Sequence, residues 1–493
     1  MKFSRKSSRS LGIGGILLAA GLISGCMVGP NYVKPSTPMT PAFKETAPPM
    51  SGSDAGSGAN KDWALAHPQD AAPRGNWWEV FQDPQLNALE VEVDPANQTL
   101  KIAEANFRQA RAVIRFNRSA EAPTIGTAPS IAAVRDSANQ PYFPAGLANN
   151  GNGDFILPFD LSWEIDLWGR IRRSVTAARE EAQASATDME NVRLSLHAEL
   201  AVDYFELRSA DAQERLLADT VKAYSEALQL TENRFEGGAA PQSDVGQART
   251  QLEDARVLET DIAAQRAQFE HAIAMLIGKP PAAFSLAPTP LDATGPLLPQ
   301  IPNVLPSELL ERRPDIAGTE RRMAAANEQI GIAQAAYYPT LGLNATAGFN
   351  SKSIENWLTW PSRFWAVGPT FSETLFDAGR RRATKEIAVS GYDAAVANYR
   401  QTTLTAFQQV EDSLVVLRVL STESQQQHRA TDAANLTLQL FENRYQGGVD
   451  TYLQVVTSQT TALSNERNDI DIERRQLDAS VLLIKALGGD WNV

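Results

Sequence analysis

The sequence predicts a mainly helical fold with a membrane β-barrel, arranged as two tandem repeats that each combine a β-hairpin with a long helical hairpin. Three observations predict this fold. One segment recurs 210 residues later, and residues 159–240 and 370–493 contain no proline. Near the start of each proline-free stretch, apolar and polar residues also alternate along the chain.

The duplication is clearest at the ends of the predicted long helices. Residues 228–238 and 438–448 are identical at eight of eleven positions. The same offset of 210 places Gly169 on Gly379. One register held over so long a stretch indicates an internal repeat.

Proline and glycine placement predict two helical hairpins. A proline inside a helix removes a hydrogen bond and clashes with the preceding turn, so the proline-free stretches are expected to be helical. Long helices are predicted over 168–236 and 377–446, each ending at a double glycine, and shorter ones return over 241–278 and 451–487. At 1.5 Å per residue, each long helix would extend roughly 100 Å.

The long helices carry an apolar seam whose members alternate by three and four residues, a spacing typical of helices packed lengthwise. In the second repeat these residues are Leu404, Phe407, Val410, Leu414 and Leu417. Their counterparts in the first repeat are Leu194, His197, Leu200, Tyr204 and Leu207.

Each repeat also predicts a β-hairpin, over 122–167 and 338–376. Residues 155–167 and 341–350 alternate strongly, and residues 124–134 and 364–375 are weaker strand candidates. Apolar-outside, polar-inside alternation is typical of an outer-membrane barrel, although a soluble sheet on a core shows it too. Four strands cannot close a barrel, two chains would give eight strands around a filled interior, and three would give twelve with room for a lumen. An open channel therefore needs at least a trimer.

The first residues indicate secretion and lipidation. Four basic residues precede an apolar run, Leu11 to Ile23, and Cys26 follows it within a lipobox-like sequence. Cys26 is the only cysteine, so it is expected to carry S-diacylglycerol and N-acyl lipid, the alternative being an ordinary buried cysteine. Met27 in place of aspartate predicts sorting to the outer membrane. Loss of the four basic residues lowers the formal charge from −13 to −17, which argues against nucleic acid as a partner.

These residues resemble the TolC-like outer membrane factor family, in particular its OprM-like (NodT-type) efflux lipoproteins. The resembling motifs are residues 26–32, residues 77–81 followed by Asp83-Pro84, residues 311–316 and the two double-glycine turns. The resemblance implies a homotrimer with a 12-strand barrel in the outer membrane and a 12-helix periplasmic tunnel. It further implies a passive exit duct for small molecules such as drugs, working with a periplasmic adaptor and an inner-membrane resistance-nodulation-division (RND) pump.

The predicted organisation follows from the repeats and the resemblance together. A signal peptide over 1–25 precedes a lipid-anchored extension with an equatorial segment over 26–95. The first repeat covers 96–280 and the second 312–488, each beginning with a helix. A linker over 281–311 and a tail over 489–493 complete the equatorial region.

The resemblance places the channel gate at the double-glycine turns. Leu453 matches the family's apolar constriction residue, the alternative being one more packed helix leucine. Thr457 stands where the family often has aspartate, which puts an acidic ring at this level in doubt. Arginine–carboxylate contacts are expected to help hold the closed state, unless Asp450 merely caps a helix and the arginines are solvated. The candidates are Arg234, Arg444, Tyr445, Asp244 and Asp450, with Glu232 and Glu442 nearby. An adaptor is expected to contact Gly237, Gly238, Gly447 and Gly448.

Other classes of function find less support in the sequence. The four histidines are scattered, and no metal-type pair, nucleophile elbow or phosphate loop occurs, so neither an enzyme nor a bound metal or cofactor is expected. A lipid-anchored envelope scaffold would explain the helices and Cys26 but not the amphipathic hairpins. A type I secretion or oligosaccharide-export outlet would share the fold and stays open as an alternative.

Overall fold

The computed structural model describes residues 27–36, 43–45, 75–135, 137, 151–291 and 312–489. Cys26, the predicted signal peptide and most of the predicted linker lie outside the described residues. Two compact units are formed. The first comprises Met1–Pro35, Asn106–Ser185 and Thr319–Tyr399, and the second comprises Ser36–Ala105, Ala186–Gly318 and Arg400–Val493.

Two long helical hairpins dominate the chain, as the repeat predicted. The long helices have 67 residues each, and the returning helices have 35 each. In chain order the helices are α1 Pro84–Ala96, α2 Gln98–Ser119, α3 Arg170–Glu236, α4 Gln242–Leu276, α5 Pro314–Ala335, α6 Arg380–Gln446 and α7 Tyr452–Ala486. In the described part of the chain, no helix combines the length and the hydropathy that membrane crossing requires.

The strands form one antiparallel sheet. They are β1 Thr124–Thr127, β2 Ser130–Val134, β3 Asn152–Ile165, β4 Thr340–Ser351 and β5 Arg363–Ser372. Pairing of β3 with β4 joins the hairpins of the two repeats into one surface, and β5 pairs with the other edge of β4.

The prediction of a single strand over residues 124–134 was wrong. The structure divides it into β1 and β2, which pair with successive parts of β3 and so share one position in the sheet. Pro129 lies in the gap, and a proline has no N–H to donate to a neighbouring strand. The sheet therefore has four strand positions, one of them interrupted.

The strand register separates an apolar face from a polar face. Residues directly paired across strands lie on the same face, and successive residues alternate between faces. Phe159, Ala347 and Trp365 form one cross-strand row, while the neighbouring row is Asp160, Thr346 and Ala366. The predicted alternation thus holds across the repeat boundary, and the apolar face is continuous from β3 to β5.

In the second unit, the predicted seam is largely buried. All five first-repeat positions are buried, as are Val410, Leu414 and Leu417 of the second repeat. Phe407 packs on the edge of that second cluster, whereas Leu404 is 46% exposed, so one chain leaves this seam position uncovered. The first-repeat seam belongs to the largest core cluster because Trp77, Trp78 and Phe81 pack on it. This explains the aromatic motif before Asp83 as core packing.

In the first unit, residues 27–35 form a strap across α3 and α5. The guanidinium of Arg173 is fully buried, donates to Val28 O at 2.7 Å and pairs with Glu328 at 2.7 Å. A Cβ on Gly331 would lie 2.3 Å from Arg173 Cδ, so only glycine leaves room for this arginine. Lys34 pairs with Glu320 at 2.7 Å further along the strap. These contacts fix the segment that follows Cys26.

Candidate functional site: the tips of the helical hairpins

The two double-glycine turns have the same backbone geometry. In the first, Gly237 N donates to Asn233 O at 3.1 Å and Ala239 N to Arg234 O at 2.7 Å. In the second, Gly447 N donates to Asn443 O at 3.0 Å and Val449 N to Arg444 O at 2.9 Å. In both turns, backbone N–H groups donate to the last carbonyl groups of a 67-residue helix. The predicted glycine stops are therefore present at both tips.

The two glycines of each turn differ in what requires them. Gly238 and Gly448 have φ values of 70° and 74°, a region that favours glycine. Gly237 and Gly447 do not have positive φ, and a Cβ there would meet its nearest atom at 3.4 Å, an ordinary contact. Local backbone conformation thus explains the second glycine of each pair but not the first. A surface that approaches the first glycine closely would explain it.

Arg444 and Asp450 form an ion pair within the second tip. Arg444 Nε and Nη2 donate to the two carboxylate oxygens of Asp450. The hydrogen bond from Arg444 holds the pKa of Asp450 below its ordinary value. The N-cap of α7 is Thr451, which makes no side-chain capping bond. Asp450 therefore binds Arg444, and the alternative that it caps the helix was wrong.

Arg234 makes a different contact, from the first tip to the second. Its Nη1 donates to the carbonyl oxygen of Tyr445 at 2.8 Å. Its guanidinium carbon lies 4.5 Å from the centre of the Tyr445 ring. The Tyr445 ring is buried and packs against Tyr452 at 5.2 Å between ring centres. Arg234 thus links one helical hairpin to the other at this level, beside the packing of Leu228 and Ala248 on Tyr445 and Tyr452.

The duplication explains why the two equivalent arginines behave differently. Arg234 and Arg444 are related by the offset of 210 residues, and the position equivalent to Asp450 is Ala240. Arg444 therefore has a carboxylate in its own turn, whereas Arg234 has none and reaches across to Tyr445. This contrast was visible in the sequence once the repeats were aligned.

The remaining predicted gate residues line the start of the two returning helices. Leu453 is 54% exposed and lies outside the buried cluster of Ala248, Tyr445, Tyr452 and Val455, so it is not a packed core leucine within one chain. Thr457 is exposed and donates to Leu453 O at 2.8 Å. Asp244 lies in the first turn of α4, and its carboxylate lies 3.5 Å from the Ser243 hydroxyl. The structure thus brings Arg234 to Tyr445 and Arg444 to Asp450, and places neither arginine on Asp244.

A buried polar cluster that the sequence analysis did not single out lies in the second unit. His197 Nδ1 lies 2.6 Å from Glu90 Oε2, and His197 Nε2 lies 3.3 Å from Asp94 Oδ1. Trp78 stacks on the imidazole with 4.5 Å between ring centres. The cluster fastens α1 to α3. The available signal was the repeat itself, because His197 replaces Phe407 at an apolar seam position.

The cluster has strongly shifted ionisation. Burial raises the pKa of Glu90 to about 7, partly offset by the hydrogen bond with His197. Burial alone would lower the pKa of His197, but hydrogen bonds with Asp94 and Glu90 outweigh it and raise the pKa to about 9. Because the pKa of His197 is higher in the folded chain than its ordinary value of 6.5, protonation of the imidazole stabilises the folded state. This stabilisation is fully present below pH 6.5 and is lost as the pH rises through about 9. No group of side chains in the described ranges has the arrangement of a metal site.

The motif over residues 311–316 has a structural role where it is described. Arg313 is buried and donates to Ala486 O, the last residue of α7, at 2.7 Å. It also pairs with Asp315 at 2.6 Å. A cation at the carboxyl end of a helix satisfies free carbonyl groups there. The motif therefore fixes the end of the second repeat.

Comparison with known proteins identifies the family. The sequence profile described as outer membrane efflux protein matches residues 91–279 and 305–489. The chain belongs to the outer membrane efflux protein family. The two matched segments each contain one long helical hairpin, in agreement with the duplication.

Relatives of this outer membrane efflux protein are similar over almost their whole length. The solvent efflux pump outer membrane protein SrpC of Pseudomonas putida is 30% identical over 97% of this chain and 98% of the relative. The toluene efflux pump outer membrane protein TtgF, also of Pseudomonas putida, is 32% identical over 95% of each. The crystal structure of the outer membrane protein VceC from Vibrio cholerae has a TM-score of 0.77 at 28% identity, covering 85% of this chain and 100% of VceC. The resemblance to this family is confirmed, and the family comprises outer membrane efflux proteins, not enzymes.

Proposed function

We propose that this chain is the outer membrane duct of a tripartite RND-type efflux system and conducts small molecules passively from the periplasm to the outside. The observation that carries the proposal is the amphipathic sheet continued by two 67-residue helices, since one chain thereby supplies a membrane segment and a periplasmic segment. Relatives named for solvent and toluene efflux favour small organic molecules as substrates. Energy would come from the inner-membrane pump.

A homotrimer would complete the channel. The sheet of one chain has two free edges, β5 on one side and the interrupted β1–β2 position on the other. Unpaired strand edges in a bilayer leave backbone groups without partners, so they must pair with another chain. Three copies of four strand positions give twelve strands, enough for a barrel with a lumen.

A lipid on Cys26 would attach beside the membrane segment. Val28 N donates to Trp168 O at 3.1 Å, and a Cβ on Gly169 would lie 2.7 Å from Met27 Cγ. Trp168 stacks on Tyr338, with 4.8 Å between ring centres, where strands give way to helices. Tryptophan and tyrosine are enriched at the membrane interface. The strap therefore supports lipid anchoring at the periplasmic rim of the barrel.

The helical tips would hold the resting channel closed. The contact of Arg234 with Tyr445 links the two hairpins of one chain, and Leu453 would project towards the axis of the trimer. A periplasmic adaptor would contact the glycine turns, where Gly237 and Gly447 have no local conformational need to be glycine. Separation of the two hairpins would then open the duct.

Dye efflux tests this function. Cells with the native adaptor and pump, but without this chain and redundant outlets, are loaded with a fluorescent dye and energised. The proposal predicts that wild-type chain restores efflux and that a pump-inactive strain shows none. Undiminished efflux without the chain would contradict it, and loss of protein or oligosaccharide export instead would favour the secretion alternative. A strain defective only in envelope integrity would favour the scaffold.

A further inference from the structure

The loop between β4 and β5, residues 352–362, exposes large apolar side chains. Ile354, Leu358 and Trp360 are 62%, 64% and 74% exposed. Soluble surfaces rarely gather such residues without a partner. This loop therefore has an apolar surface that one copy of the chain leaves uncovered.

The loop is a folded structure with its own hydrogen bonds. Asn356 O accepts bonds from Thr359 Oγ1 and Ser362 Oγ, each at 2.7 Å. Trp357 N donates to Ile354 O at 3.2 Å, and a short 3-10 helix, Trp360–Ser362, ends the loop. The apolar side chains are consequently presented on a preformed support.

Two tryptophans place the loop at the apolar face of the sheet. The Trp357 ring lies 5.7 Å from the ring of Phe155, which belongs to the apolar rows of β3. The Trp360 ring centre lies 3.6 Å from the guanidinium carbon of Arg363. Arg363 pairs with Phe349, so it too stands on the apolar face. The loop thus bends over the rim of that face and not over the polar one.

Arg363 is the charged group at this rim. It is exposed, and no carboxylate in the described part of the chain pairs with it. Trp360 covers one face of the guanidinium, which leaves the N–H groups at its edge available to donate. Lys352 is a second exposed cation, and Glu355 is the acidic residue of the loop. Together with Arg363 the loop carries a net positive charge.

We propose that the β4–β5 loop is a lipid-binding element, in which Ile354, Leu358 and Trp360 enter the outer leaflet and Arg363 binds the phosphate of an anionic lipid. Tryptophan prefers the boundary between acyl chains and headgroups, and a planar guanidinium donates two parallel hydrogen bonds to phosphate. Arginine at the rim of an apolar band can extend its charged end to headgroup level. The inference rests on the proposed membrane function, because it requires the apolar face to lie in lipid.

Quenching by brominated lipid tests the position of the loop. Full-length variants Leu358→Cys, Val367→Cys and Ala366→Cys are labelled with a small fluorophore and placed in nanodiscs of phosphatidylcholine and phosphatidylglycerol, with or without brominated acyl chains. Val367 is on the apolar face of β5 and Ala366 on the polar face. Label on the wild-type chain, whose sole cysteine is Cys26, sets the background.

The inference predicts quenching at Leu358 and Val367 and none at Ala366. Quenching at Val367 without quenching at Leu358 overturns the loop proposal and leaves the membrane barrel intact, as expected if a second copy or solvent covers the loop. Absence of quenching at Val367 overturns the membrane function itself. The two failures are therefore distinguishable.

Retention of anionic lipid tests the role of Arg363. Native mass spectrometry of the full chain counts bound phosphatidylglycerol for Arg363→Gln, Arg363→Lys and Arg215→Gln, the last an exposed arginine far along α3. One cation near an anionic headgroup changes affinity about fivefold, so Arg363→Gln is expected to reduce retention by about that factor. Arg363→Lys should retain an intermediate amount, and Arg215→Gln the wild-type amount. Equal retention by Arg363→Gln and wild type would overturn the phosphate contact.

Discussion

Loss of the Arg234 contact should loosen the closed tip. The variant Arg234→Met keeps an unbranched apolar stem like that of arginine but removes the guanidinium and so every N–H donor. It therefore removes the 2.8 Å hydrogen bond to Tyr445 O and the stacking on the Tyr445 ring. The packing of Tyr445 on Tyr452 does not depend on that charge.

The size of the effect follows from these two contacts. A hydrogen bond from a charged donor contributes about 1.5–3 kcal/mol. A cation–π contact adds about 0.5–2 kcal/mol. Arg234 is half-buried, so the low end of each range applies, about 2 kcal/mol in total. That corresponds to about a 30-fold increase in the ratio of open to closed tips per chain.

Single-channel recording in planar bilayers measures this ratio directly, and growth inhibition by vancomycin reports leakage in cells. Arg444→Met is the matched control, because it removes an exposed ion pair confined to one tip. Ala240→Asp is the converse test, since it places a carboxylate six residues after Arg234 as Asp450 is placed after Arg444. We expect this carboxylate to pair with Arg234, to break the contact of Arg234 with Tyr445, and so to increase the fraction of open channels. Unchanged conductance in Arg234→Met, or an equal increase in Arg444→Met, would refute the reasoning.

Three further predictions concern other parts of the chain. Replacing His197 by alanine leaves Glu90 buried without its partner and should lower the melting temperature at pH 7. At pH 10, where the wild-type imidazole is neutral, the difference in melting temperature between wild type and variant should be smaller. The same difference at both pH values would contradict this prediction. Gly331→Ala should destabilise by about 1–3 kcal/mol through overpacking, and Gly391→Ala, a helical glycine with open space around it, should stabilise by about 0.5–1 kcal/mol in the same denaturant titration. Thr457→Asp should make channel current sensitive to divalent cations if three copies of this exposed position face one another, and insensitive current would place the position elsewhere.

Repetition made the helical part of the fold predictable. Two copies of one sequence pattern had to give two similar hairpins, and the structure has helices of equal length in both. Pattern alone could not show that β3 pairs with β4, because a long-range pairing leaves no local signal. The division of the first strand follows from Pro129, a residue whose missing N–H was available in the sequence.

The tip was predictable in its location and less so in its contacts. Arg234, Arg444, Tyr445 and Asp450 were all candidates, but spacing could not decide which arginine binds which partner. The absence of a carboxylate at Ala240 settles that question, and it becomes evident only when the repeats are compared position by position. Leu404 illustrates the opposite limit, since it fits the apolar seam pattern and yet is 46% exposed in one chain.

Three chains are proposed to close one barrel, and the mass of the full-length protein in mild detergent tests this most directly. Native mass spectrometry gives the number of copies without assuming their arrangement. Three copies would supply twelve strand positions around a lumen, the result that the duct requires. Two copies would supply eight positions around an interior filled by side chains, and a single copy would leave both sheet edges unpaired. Either of those results would contradict the proposed channel.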